Sequence, residues 1–196
     1  MQEIILPNKS VSGRVRAHEV RGDVWDLLTA WDHNQVLYGW GTVVGTLLTK
    51  GLSNYRIGGM YLEYENVADP DDPVSAPTFD RSGGKSYYDG LGLSATRDYL
   101  RVPLTASLLS SSDETLFPDG NVMTFFAQSQ GVTGANGKAF SDTVNSKIYG
   151  GALVAFLDEA DADQDIVFSR FYFSVANQQV KLPTSQIGLE WEITLQ

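Results

Sequence analysis

The sequence predicts a mainly β protein, a β-sandwich or jelly roll with about eight strands and one amphipathic helix. Three observations carry this expectation. Short apolar runs alternate with polar residues at the two-residue period of strands and are separated by turn signals. Glycine is plentiful at 19 residues, while charged residues make up only 19%. A single stretch, NQVLYGWGTVVGTLLTKG from Asn34, shows helical spacing instead.

The strands are read in chain order. GRVRAHEV (13–20) and VWDLLTAW (24–31) open the chain, and Arg21-Gly22-Asp23 between them reads as a polar turn rather than a cell-adhesion tripeptide. In the helical stretch Val36, Leu37, Trp40, Val43, Val44, Leu47 and Leu48 fall within about 140° of a helical wheel, one buried face. Asn34 is the expected N-cap and Gly51 the residue beyond the C-terminus, so the helix spans about 35–50. Gly39, Gly41 and Gly45 oppose it at about 1 kcal/mol each relative to alanine.

A strand at 57–65 follows, with Met60, Leu62 and Tyr64 alternating against Tyr61, Glu63 and Glu65 as on a half-buried sheet. YLRVPLTASLL (99–109) contains Pro103, which marks an edge strand or a bulge. VMTFFAQSQ (122–130) and KIYGGALVAFL (147–157) are the next two. IVFSRFYFSV (166–175) places Val167, Phe171, Phe173 and Val175 on one face and Ile166, Phe168, Arg170 and Tyr172 on the other, so both faces meet protein. The last strand alternates Ile187, Leu189, Trp191, Ile193 and Leu195 with Gly188, Glu190, Glu192 and Thr194.

Two long irregular stretches interrupt these elements, 66–92 and 131–145, and loops of this length inside a compact domain usually carry function. The first holds Pro70, Pro73, Pro77, Tyr87 and Tyr88, and the second holds Asn136; these six are the candidate interaction residues. Nothing repeats at a fixed period and no linker divides the chain, so residues 1–196 read as one domain with two protruding loops.

Composition narrows the function. A chain of 196 residues buries roughly 70% of its unfolded surface without disulfide or metal support. The absence of cysteine removes thiolate metal sites and cysteine nucleophiles. A net charge of −10 disfavours direct binding to nucleic-acid backbones. MQEIILPNKS lacks the basic region and apolar core of a secretory signal, and the apolar stretch at 36–48 is too short for a bilayer, so a soluble protein with no membrane association is expected.

No motif declares a reaction. Asp158, Glu159, Asp161, Asp163 and Asp165 have the spacing of a calcium loop. Counted from Asp161, however, the sixth position is Ile166 instead of glycine and the twelfth is Tyr172 instead of glutamate, so an acidic turn is expected. His18 and His33 are too few for a histidine metal centre. No G-x-S-x-G elbow occurs, and Ala139 follows Lys138 where a P-loop requires serine or threonine. Tyr55, Tyr87 and Tyr88 suit either a sugar-stacking platform or packing on a sheet.

The order of a strand-rich start, Asn34 leading a hydrophobic helix to Leu47-Leu48, a strand from Ile57 and the extension bearing Pro70, Pro73 and Pro77 resembles structural proteins of tailed bacteriophages. The ending KLPTSQIGLEWEITLQ (181–196) is also similar to the final strand of such proteins. The resemblance covers about half of the chain. It implies a non-enzymatic virion subunit of head, neck or tail, with no cofactor, no catalytic residue and no metal. Its implied partners are copies of itself and other capsid, neck or tail subunits. The alternative expectation is a lectin-like carbohydrate- or receptor-binding module on the same β-sandwich.

Overall fold

The computed structural model describes residues 11–36, 56–67, 84–110, 121–129, 132–134, 137, 139–158, 160–174 and 178–195. Within them the elements are β1 (Val11–Arg21), β2 (Val24–Leu27), β3 (Asp32–His33), β4 (Gln35–Val36), β5 (Arg56–Asn66), α1 (Gly84–Gly92), β6 (Arg97–Ser110), β7 (Asn121–Gln128), β8 (Ser146–Phe156), β9 (Ile166–Tyr172), β10 (Gln179–Lys181) and β11 (Gln186–Leu195). A 3-10 turn at Ala162–Gln164 precedes β9. The protein is mainly β, as its alternating patterns require.

All pairings are antiparallel, in the order β2-β1-β11-β7-β6-β5-β8-β9-β4, with β3 also on β1 and β10 also on β8. β6 serves both halves of this sheet. Its ladder with β5 ends at Pro103 opposite Gly59, and its ladder with β7 begins at Leu104 opposite Ala127, with a register shift just beyond. The missing proline N–H thus falls where one ladder hands over to the other. Pro103 marks the bulge alternative; β6 is an interior strand.

The sheet curls until its ends meet. β3 pairs with β1 near one end and β4 pairs with β9 near the other, and a single residue, Asn34, separates them. Its backbone N–H donates to Gly13 O at 3.2 Å and its side-chain amide donates to the Ser169 hydroxyl. Asn34 is therefore a clamp between the two sheet ends, not a helix cap. The first two residues of the expected helix, Gln35 and Val36, are strand; its remaining positions, 37–50, lie outside the described residues.

Curling places the apolar faces of the two halves against each other. Val15, Phe125, Leu189 and Trp191 meet Met60, Leu62, Leu153 and Phe171 in one core. Phe171 and Trp191 cross it edge to face at 5.2 Å between ring centres. On the outer face of β1 and β11 the alternation leaves cross-strand ion pairs, Arg14 with Glu192 and Arg16 with Glu190, and both arginines stack on Trp31 at 4.3 Å.

The second face of β5, β8 and β9 is covered as well. Tyr61, Tyr99, Ala152, Val154, Phe156 and Val167 form a smaller core against Tyr88 of α1, with Tyr87 and Leu91 packed on it. β5 is consequently buried on both faces, not half-buried. In β9 a register shift opposite Leu153 and Val154 leaves Phe168 as an extra residue and reverses the alternation before it. Val167 therefore joins the tyrosine core while Phe171 and Phe173 face the main one.

Among the described residues the α-helix lies at Gly84–Gly92, inside the stretch expected to be a loop. Gly84, Tyr88 and Gly92 repeat every four residues on its buried face, and Lys85 pairs with Asp89 one turn on. Three glycines make this a weak helix in isolation, so packing of Tyr88 on the sheet supplies its stability.

Candidate functional site

Two regions stand out, one electrostatic and one apolar. Beneath α1, Glu63 is wholly buried and accepts from Tyr87 Oη at 3.0 Å and from Arg170 Nη2 at 3.4 Å, with Arg97 Nη1 at 3.6 Å. Burial drives its pKa above the usual carboxylate range, against the opposing pull of Arg170, Tyr87 and Arg97. The Arg170 guanidinium also lies 4.2 Å from the centre of the Tyr87 ring.

A second centre sits beside it. Asp165 accepts from Tyr61 Oη at 2.6 Å and takes a two-pronged bond from Arg101, Nε at 2.7 Å and Nη2 at 2.8 Å. Arg101 also donates to Asp158 O and stacks on Phe156 at 3.6 Å. Burial pushes Tyr99, in the same aromatic cluster, up to about 12. These groups neutralise one another, and their chemistry is to lock α1 and the 3-10 turn onto the sheet.

The acidic run therefore divides its work. Asp165 is a buried ion-pair partner, Asp158 accepts from Ala160 N, and Asp161 caps the 3-10 turn by accepting from Asp163 N and Gln164 Nε2. Those bonds hold Asp161 below its ordinary pKa. Among the described residues no group of three or more histidines and carboxylates is placed to hold a metal ion. His18 packs edge to face on Trp25 and shares a hydrogen bond with Glu190 at 3.0 Å. Arg21-Gly22-Asp23 is the β1–β2 turn, where Gly22 adopts a φ of 63°.

Tyr87 and Tyr88 come together, but facing inward. Tyr88 is fully buried and Tyr87 is tied to Glu63, so the pair packs on the sheet instead of forming an exposed stacking platform. Pro70, Pro73, Pro77, Asn136 and Tyr55 lie outside the described residues.

The apolar region is β2. Among the described residues it is an edge strand, bonded to β1 alone, and Val24 and Leu27 are each 57% exposed on it. Trp25 between them anchors the strand against His18, Phe126 and the bare backbone of Gly188, where a Cβ would lie 2.5 Å from the indole. Leu93, at the end of α1, is 89% exposed beside a cleft of about 520 Å³ that Tyr99 and Arg101 also line.

Sequence reasoning missed Glu63, Arg101 and Arg170 as a network. The available signal was Arg170 itself, a lone charge inside the apolar run IVFSRFYF. It also passed over Val24 and Leu27, whose exposure follows from the position of β2 in the sheet. Among the described residues no helix is long and apolar enough to cross a membrane. In comparisons with known proteins, the chain matches no family model, no curated protein and no solved structure.

Proposed function

We propose that the protein is a non-catalytic structural subunit of a tailed-bacteriophage virion, joining copies of itself and neighbouring virion proteins. The observation that carries this reading is the edge of β2, which no other described strand pairs, with Val24 and Leu27 turned to solvent. An unpaired strand edge offers a row of backbone donors and acceptors to another chain, and exposed aliphatic side chains beside it reward contact. The sequence resemblance favours a virion as the assembly, and the locked α1–sheet network suits a subunit that must keep one shape while repeated.

Sedimentation of the wild type and of V24K/L27K tests this. The expected result is a self-associating wild type and a variant shifted toward monomer, with the chain detected in purified tailed-phage particles. A wild type that stays monomeric at every concentration and is missing from such particles overturns the reading.

A further inference from the structure

A second cleft, of about 360 Å³, opens between the 139–142 segment and the β10–β11 turn. Ser129, Thr133, Phe140, Ser141, Lys181 and Ser185 line it. Lys181 is the unusual member. It is 4% exposed, and its Nζ donates to Leu182 O at 2.7 Å and to Pro183 O at 3.4 Å, both carbonyls of the adjoining turn. The ammonium also lies 5.0 Å from the Phe140 ring centre.

Three arginines of the fold face carboxylates: buried Arg170 meets Glu63, and part-buried Arg101 and Arg16 meet Asp165 and Glu190. Among the described residues no carboxylate lies within ion-pair distance of Lys181; burial lowers its pKa, opposed only by the more distant charge of Glu19. An ammonium has three donors and two carbonyls take two of them. Burying such a charge without a counter-ion is costly, and the cost is recovered when an anion completes the site.

We propose that this cleft binds a sugar acid, its carboxylate on Lys181 Nζ and its hydroxyls on the serine and threonine side chains around it. The lining combines one cation, four hydroxyl groups and an aromatic ring, the chemistry of a carboxylated polyol more than of a bare anion or a neutral sugar. Asp142, the carboxylate of the lining, is exposed, and its charge favours a ligand that turns its own carboxylate toward Lys181. The site is independent of the β2 edge and of the assembly reading.

Titration with D-glucuronate, followed by backbone amide NMR, is the test, with D-glucose and acetate as separate arms. Glucuronate is expected to shift amides of residues 129, 133, 140–142 and 181–186 in a saturable way, and to bind about tenfold or more tighter than glucose or acetate. K181M is expected to lose about tenfold in affinity for glucuronate while leaving glucose binding unchanged. Equal binding of all three probes, saturable shifts that map elsewhere, or no saturable shift at all overturns the proposal. The wild-type amide map decides this even if K181M fails to fold.

Discussion

Asn34 and Ser169 are 135 residues apart in sequence, and the bond from the Asn34 side-chain amide to the Ser169 hydroxyl joins the two ends of the curled sheet. A Cβ on Gly13 would lie 2.4 Å from the same amide, so β1 presses on the clamp from the other side. Asn34→Ala should cost about 1–2 kcal/mol in urea unfolding, the value of a part-buried hydrogen bond and its desolvated partner. Amides of β4 and β9 should exchange faster in the variant while those of β11 hold. Uniform acceleration over the whole sheet would show that Asn34 has no special part in closure.

Two glycines should respond to alanine in opposite directions. A Cβ on Gly151 would stand 2.3 Å from the Tyr61 carbonyl oxygen, a backbone atom that cannot step aside. Gly151→Ala should therefore destabilise by about 2 kcal/mol or more. Gly90 in α1 meets nothing within 4 Å, so Gly90→Ala should stabilise by up to about 1 kcal/mol through helix propensity. Denaturant midpoints of the two variants check both signs.

Removing Arg170 leaves Glu63 buried with weaker partners. Arg170→Met should cost about 3 kcal/mol, and adding Glu63→Gln should restore part of the loss. The folded pKa of Glu63 already lies above its ordinary value because of burial. Removal of Arg170 raises it further, so the deficit of the single variant should shrink as pH falls toward the unfolded glutamate value of about 4.3. Unfolding at several pH values reads this directly.

Glu190 runs the other way. Burial raises its pKa, but hydrogen bonds from Arg16 and His18 outweigh that and hold it below the ordinary value. Its contribution is present in full above about pH 4.3 and is lost as pH falls through the folded pKa. Glu190→Gln should thus be less stable than wild type by about 2 kcal/mol at neutral pH, with the gap closing in acid. A gap that stays constant with pH would place the Arg16 contact outside the ionic contribution.

The β ladders were legible wherever alternation met a single apolar face. Ile187, Leu189, Trp191 and Ile193 line the core as their spacing requires, and Arg14, Arg16, Glu190 and Glu192 pair on the far side. The Tyr61, Glu63 and Glu65 face looked solvent-facing because α1, which covers much of it, carries three glycines and no strong apolar stripe. The segment 24–31 read as one strand, yet β2 stops at Leu27, where Leu28 N and Thr29 N both turn to Ala17 O. Asn34 carries the preferred side chain of a helix cap, and the same amide serves equally well as a bridge between strands.

Sequence alone determined the class: local alternation, turn glycines and sparse charge make a mainly β chain, because a strand's two-residue period is written residue by residue. Tertiary structure decided the rest. That Glu63 and Arg170 share a buried bond, that Tyr88 seals a second core, and that among the described residues Lys181 has no carboxylate within ion-pair distance and β2 lies at an edge all depend on contacts between segments far apart in the chain. Burial, and with it the energy of a charge or an aromatic ring, is a property of what covers a residue, and no local pattern records its cover.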